Sequence, residues 1–292
     1  MSGFLRGTGV ALATPFNKDG AIDFEGVTSL MEFCVNGKVE YLVVLGTTAE
    51  SVTLTREEKK QLIAHIVKTN NKRLPLVIGV GGNNTAAVIE EIKEVDVSEF
   101  DAILSVTPMY NRPSQEGVYQ HYKAINNEAP LPVLLYNVPS RTATNMTAET
   151  TLRLAQLDNI IGIKEATGDF TQVLKILKDR PKDFLVISGD DALALPAVVA
   201  GGDGVISVVG QGFPTEFSEM IRLGLAGEQK KAYEILFKLL PILEYAFEEG
   251  NPAGIKSVLK AKGICNDMLR LPLIRVSSGL EEKIKRFIQN NE

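Results

Sequence analysis

The stretch Ile160-Ile161-Gly162-Ile163-Lys164-Glu165-Ala166-Thr167-Gly168 decides the fold. It opens as a short apolar run closed by a turn, the pattern of a strand buried on both faces, but a lysine sits near its C-terminal end. Side chains alternate along a strand, so Ile161 and Ile163 share one face, Gly162 and Lys164 the other, and Glu165 points away from Lys164. An ammonium facing a core is costly, whereas a neutral, pre-positioned amine is what imine chemistry on a carbonyl requires. For the strand in isolation, a lysine that snorkels out of the strand end or pairs with Glu165 is the competing reading.

Working outward, the same kind of apolar run recurs at residues 7–14, 41–45, 76–79, 102–106, 133–137, 185–188 and 204–208. Helix-like segments fill the intervals, at 23–36, 55–70, 85–95, 114–127, 147–156, 170–178, 192–200 and 216–225. Asp23 caps the first and Gly37 stops it. Thr55-Arg56-Glu57-Glu58 is a capping box. Eight strand–helix units in about 225 residues predict an α/β protein built as a closed (β/α)8 TIM barrel. An open doubly wound sheet is the alternative, but nothing marks a reversal of strand order or a dinucleotide loop. Gly81-Gly82-Asn83-Asn84 matches no phosphate-loop spacing and reads as a turn, and Gly201-Gly202-Asp203-Gly204 as a helix stop. Beyond residue 227 no strand remains. Helices at 228–249, 253–262 and 279–290 give a C-terminal helical region, 228–292, beside a catalytic barrel, 1–227.

Composition narrows the function classes. The 292 residues suit one large barrel better than two equal domains. With 45% hydrophobic residues, 23% charged, a net charge of −5 and no tryptophan, the chain has no Lys/Arg block to serve as a nucleic-acid footprint. No apolar run approaches the roughly 18 residues of a membrane span, and residues 1–6 lack the apolar core of a signal peptide. Cys34 and Cys265 are far apart and fit a reducing cytosol, and with only His65 and His121 a histidine-rich metal site is excluded. The expectation is a cytoplasmic globular protein that binds small molecules, without a metal and without nucleic-acid or membrane partners.

In barrels of this type the chemistry sits at the C-terminal ends of the strands. Those ends carry Thr47 and Thr48, Thr107 and Tyr110, Tyr136 and Arg141, Lys164, Gly189 and Asp190, and Ile206 and Ser207. An amine, two phenols, hydroxyls and one arginine suit carbonyl chemistry through an imine, with phenol and hydroxyl groups relaying protons. Each also has a structural reading. Taken alone, Gly46-Thr47-Thr48 reads more readily as a tight turn than as a carboxylate cradle; Tyr136 is also barrel filler, Tyr110 a surface or interface aromatic, and Arg141 a surface ion-pair partner, although its forked guanidinium also suits a carboxylate.

Gly46-Thr47-Thr48-Ala49-Glu50-Ser51, Thr107-Pro108-Met109-Tyr110-Asn111-Arg112-Pro113, Tyr136-Asn137-Val138-Pro139-Ser140-Arg141-Thr142 and Gly162-Ile163-Lys164-Glu165-Ala166-Thr167-Gly168 resemble the signatures of the dihydrodipicolinate synthase / N-acetylneuraminate lyase superfamily. The resemblance spans essentially the whole chain. The paired threonines and Arg141 point to the dihydrodipicolinate synthase branch; an N-acetylneuraminate-type lyase or another 2-oxo acid aldolase is the alternative, and a catalytically dead, ligand-binding barrel the third.

The resemblance implies that Lys164 forms an imine with pyruvate and that the derived enamine adds to L-aspartate 4-semialdehyde, with no external cofactor. It implies proton transfer by Tyr136, linked through Thr48 to Tyr110 from a neighbouring subunit of a homotetramer built as a dimer of dimers. Thr47, Thr48, Gly189 and the backbone at Ile206 would bind pyruvate, and Arg141 the semialdehyde carboxylate. A phenol holds its proton well above neutral pH, so rapid exchange needs such a relay. Two departures stand out. Ala49 replaces the usual glycine, which a Cβ tolerates only at negative φ. Arg56, Lys59, Ala87 and Met109 replace residues of the lysine-inhibited type, so feedback inhibition by lysine is expected to be weak or absent.

Overall fold

Eight parallel strands close into a barrel in sequence order, β1 (Gly7–Ala11), β2 (Tyr41–Val44), β3 (Leu76–Gly79), β4 (Ala102–Val106), β5 (Val133–Asn137), β6 (Ile160–Glu165), β7 (Leu185–Ser188) and β8 (Gly204–Ser207), with β8 returning to β1. This computed structural model describes residues 3–96 and 98–291. Residues 1, 2 and 292, at the ends of the segments expected above, lie outside the described residues.

The wall is formed by α1 (Phe24–Asn36), α2 (Arg56–Asn70), α3 (Thr85–Lys93), α4 (Gln115–Glu128), the short α5 (Pro139–Thr142), α6 (Ala148–Leu154), α7 (Phe170–Asp179), α8 (Ala194–Val199) and α9 (Pro214–Leu225). Helix starts follow the capping residues. Asp23, Ser114 and Thr147 accept from Gly26, Gly117 and Thr150 N–H groups, and Thr55 and Glu58 form the reciprocal capping box. β1 and β8 are shorter than the apolar runs that signalled them. After β8 the chain turns at once into a 3-10 turn, Val209–Gln211, whose leading N–H groups are held by Asp191.

Alternation along the strands separates two cores. Ala11, Tyr41, Val43, Val77, Leu104, Leu134, Tyr136, Ile187 and Ile206 point inward and fill the barrel. Val10, Leu42, Ile78, Ile103, Leu135 and Ile163 point outward and pack under the helices. Gly9 makes the inner layer possible, since a Cβ there would stand 2.1 Å from the Tyr41 ring.

The C-terminal helices α10 (Gln229–Glu248), α11 (Ala253–Ala261) and α12 (Ser278–Asn291) pack on α8, α9 and one another around Leu236, Ile242, Ile255, Val258 and Ile284. α10 also brings Leu240, Leu243 and Phe247 over the mouth of the barrel. No helix among the described residues is long and apolar enough to cross a membrane.

Candidate active site

Lys164 is the penultimate residue of β6, paired in register with Tyr136 of β5 and Ile187 of β7. Its side chain is 5% exposed, and Nζ lies 4.3 Å from the centroid of the Tyr136 ring. Among the described residues it has no salt-bridge partner. Gly189, just past β7, leaves room for it: a Cβ at that position would come within 2.9 Å of Lys164 Cε and 2.8 Å of the Ala166 Cβ. Glu165 points the other way. It is buried and takes hydrogen bonds from Asn137 Nδ2, Gln172 Nε2 and Thr167 N–H, while burial pushes its carboxyl above the ordinary value.

Lys164 faces a cavity of about 420 Å3 at the C-terminal end of the barrel. Thr47, Thr48, Tyr136, Arg141, Gly189 and Asn251 are among the residues that line it. The threonines belong to a 3-10 turn, Thr47–Ala49, that Thr14 Oγ1 fixes by donating to the Ala49 carbonyl at 2.7 Å. The left-handed residues of this loop are Leu45 and Glu50, at φ 57° and 52°, not Ala49, so its Cβ is accommodated.

Glu50 is wholly buried and accepts from Lys256 Nζ and Arg270 N–H. Lys256 Nζ also donates to the Met268 carbonyl and lies 4.3 Å from the Phe16 ring centroid. Burial lowers the pKa of the Lys256 ammonium, and Glu50 beside it acts in the opposite direction.

The structure distributes the expected site residues unevenly. Lys164, Tyr136, Thr47, Thr48, Arg141 and Gly189 converge on the cavity. Ile206 is buried in the inner barrel layer and is not among the lining residues, whereas Val208 is. Tyr110 is 88% exposed, at φ 71°, outside the cavity, with its N–H donating to the Thr142 carbonyl. Thr48 Oγ1 accepts from Asn251 Nδ2 at 3.0 Å, and Arg141 Nη2 donates to the Asn251 carbonyl at 3.1 Å.

Sequence reasoning missed Asn251, Asp191, Glu50 and Lys256. Asn251-Pro252 reads in the sequence only as a break between helices. Asp191 lines the cavity, accepts from the Val208 and Val209 N–H groups, and has its carboxyl pushed up to about 6 by burial. Among the described residues, His, Cys, Asp and Glu side chains form no group of three that could hold a metal ion.

A (β/α)8 barrel whose sixth strand delivers an uncompensated lysine to a cavity of hydroxyls, phenol and arginine has the make-up of the barrel lyases that work on carbonyl compounds through an imine. The chain belongs to the dihydrodipicolinate synthetase family, whose model matches residues 4–291.

It is 54% identical to the 4-hydroxy-tetrahydrodipicolinate synthase of Flavobacterium psychrophilum, covering 96% of each chain, and 50% identical to that of Parabacteroides distasonis, covering 98% of this chain and 96% of the relative. Among solved structures, the dihydrodipicolinate synthase of Thermotoga maritima superposes with a TM-score of 0.95 at 36% identity, covering 98% of both chains. The chloride-inhibited enzyme of Acinetobacter baumannii, solved with pyruvate, superposes with a TM-score of 0.95 at 37% identity and the same coverage.

Proposed function

We propose that this chain condenses pyruvate with L-aspartate 4-semialdehyde to 4-hydroxy-tetrahydrodipicolinate, the reaction for which its curated relatives are named. The observation that carries the reading is the convergence of Lys164 and Arg141 on one cavity, an amine at its base and a carboxylate-binding fork at its rim.

The Lys164 amine attacks C2 of pyruvate, the ketone oxygen leaves as water, and an imine forms. Loss of a proton from C3 gives the enamine. C3 then bonds to the aldehyde carbon of the semialdehyde while the aldehyde oxygen takes up a proton. The semialdehyde nitrogen finally adds to C2, closing the ring and releasing the lysine amine. Tyr136, beside Nζ, is the group placed to pass these protons, with Thr48 as the next hydroxyl in line. Thr47, Thr48 and Gly189 hold the pyruvate carboxylate end, with the chain at Ile206–Val208 closing the site. Fixing amine and carbonyl together supplies much of the rate through orientation.

Tyr110 acts, in this reading, on a neighbouring copy. A second cavity of about 270 Å3 also borders Tyr136, lined by Thr47, Val52, Met109, Tyr136 and Thr142 among others. Beside it Tyr110 and Val52 are almost fully exposed. An exposed aromatic beside an open cavity suits an isologous contact in which each copy offers its aromatic to the other. A homotetramer made of two such dimers is the assembly proposed, and sedimentation showing a fully active monomer would refute the shared site. The free thiols Cys34 and Cys265 accord with a cytoplasmic location.

Turnover of pyruvate with aspartate semialdehyde in a coupled assay tests the reading. Cleavage of sialic acid or another 2-oxo sugar acid in place of condensation would overturn it. Lysine inhibition is expected to be weak or absent, because the cationic side chains of Arg56 and Lys59 at the substituted positions disfavour an ammonium ligand; they pair with Glu94 and with Glu91, the latter at 3.5 Å. A submillimolar, cooperative inhibition curve would contradict this.

A further inference from the structure

Asn251 lies outside the barrel, between α10 and α11, yet its hydrogen bonds reach two separate barrel elements. Its side-chain Nδ2 donates to Thr48 Oγ1 at 3.0 Å, and its main-chain carbonyl accepts from Arg141 Nη2 at 3.1 Å. The residue is buried and lines the cavity beside both. Oδ1, on the other arm of the amide, is buried without a partner, so the side chain is held by its nitrogen.

A threonine hydroxyl has one proton to donate and lone pairs to accept with. An amide N–H can only donate, so where Asn251 occupies a lone pair the Thr48 proton has to point elsewhere. The open direction is the cavity that Thr48 shares with Tyr136. A carboxylate in the same place would do the reverse, drawing the Thr48 proton to itself and away from the phenol.

We infer that Asn251 is a positioning residue that sets the direction of proton transfer: by donating to Thr48 Oγ1 it keeps the Thr48 proton aimed into the cavity, where Tyr136 can use it. The inference rests on the reading of Lys164, Tyr136 and Thr48 given under the proposed function. Because Arg141 is held by the Asn251 main chain, side-chain substitutions at 251 address Thr48 and leave the arginine contact in place. The C-terminal helical region thereby orders the protons of a reaction whose other groups all come from the barrel.

Two measurements made without the second substrate separate this role from a structural one. End-point borohydride trapping with pyruvate reports imine capacity at Lys164. Exchange of the pyruvate methyl protons in deuterated water, followed by NMR, reports the proton transfers that interconvert imine and enamine.

Asn251→Asp is expected to lower methyl exchange roughly 10- to 100-fold, a general acid–base effect, while trapping and the KM for aspartate semialdehyde stay within about twofold. Asn251→Ala is expected to lose only severalfold, because water can donate in place of the amide; it carries the test if Asn251→Asp fails to fold. Thr48→Val should lower exchange as well, and Asn251→Asp added to it should cost nothing further.

If Thr48→Val leaves exchange intact, the relay itself fails and the inference with it. If Thr48→Val lowers exchange but Asn251→Asp does not, the relay stands and the inference is overturned. A parallel fall of trapping, exchange and melting temperature would reduce Asn251 to a packing residue.

Discussion

Among the described residues two lysines are buried, and they are built alike up to a point. Lys164 and Lys256 are 5% and 0% exposed, and each holds Nζ 4.3 Å from an aromatic centroid, Tyr136 in one case and Phe16 in the other. They differ in what else surrounds the nitrogen. Lys256 meets the Glu50 carboxylate and the Met268 carbonyl, and its donors are spent inside the fold. Lys164 meets no carboxylate and opens on a cavity with room for a substrate. Burial therefore does not make a lysine a nucleophile. In the reading proposed above, burial beside a cavity without an ion-pair partner does, whereas burial with a counter-charge makes a tie between distant segments.

The most direct way to break this comparison is to trap the imine. Borohydride reduction in the presence of pyruvate should leave its mass adduct on Lys164 and none on Lys256. Lys164→Ala should abolish trapping and lower turnover at least about 10^4-fold while the protein stays folded. An adduct on Lys256, or on any lysine but Lys164, would invert the assignment.

Lys256→Met should act on stability instead. Removing one partner strands the Glu50 carboxylate in the interior, which costs about 3–5 kcal/mol. Adding Glu50→Gln removes the stranded charge, so the double variant should recover part of that loss in denaturant unfolding. A Lys256→Met protein as stable as the parent would show that the pair is dispensable.

Gly189→Ala probes the room around the Lys164 amine. The added Cβ would press on Lys164 Cε and Ala166 Cβ, both closer than 3.0 Å. Displacing the amine by a fraction of an ångström should slow imine formation roughly 10- to 100-fold, with little change in melting temperature. Single-turnover trapping rates measure this, and a wild-type rate would mean that the lysine reaches pyruvate by another path.

The contrast between the two lysines also marks what the sequence could disclose. The barrel was legible because eight apolar runs alternate with capped amphipathic helices, and period and capping are local signals. Lys164 was legible because strand alternation and strand ends are local as well. Lys256 was not: Ala253-Gly254-Ile255-Lys256-Ser257-Val258 reads as an ordinary helix, and its partner is 206 residues away. Asn251 and Asp191 escaped for the same reason, since their importance lies in which distant N–H or hydroxyl they meet. The elements α5 and Thr47–Ala49 span four and three residues, too few for any periodicity to register.

The smallest expected effect concerns a partly exposed counterpart of the buried pair. Arg270 stacks 4.5 Å from the Phe16 centroid, the ring that also carries Lys256, and its Nη1 donates to Glu58 Oε2 at 2.9 Å. The guanidinium holds the Glu58 carboxyl down to about 2. An unfolded glutamate titrates near 4.3, so between those values the unfolded chain binds the extra proton and stability rises with pH. The contribution is complete above about pH 5 and drains away as pH falls through about 2. Glu58→Gln should therefore lower the melting temperature near neutrality by about 2 °C or less, as for a pair worth up to about 1 kcal/mol, and the gap to the parent should close in acid. A gap that stays open in acid would mean that Glu58 acts on stability by something other than its charge beside Arg270.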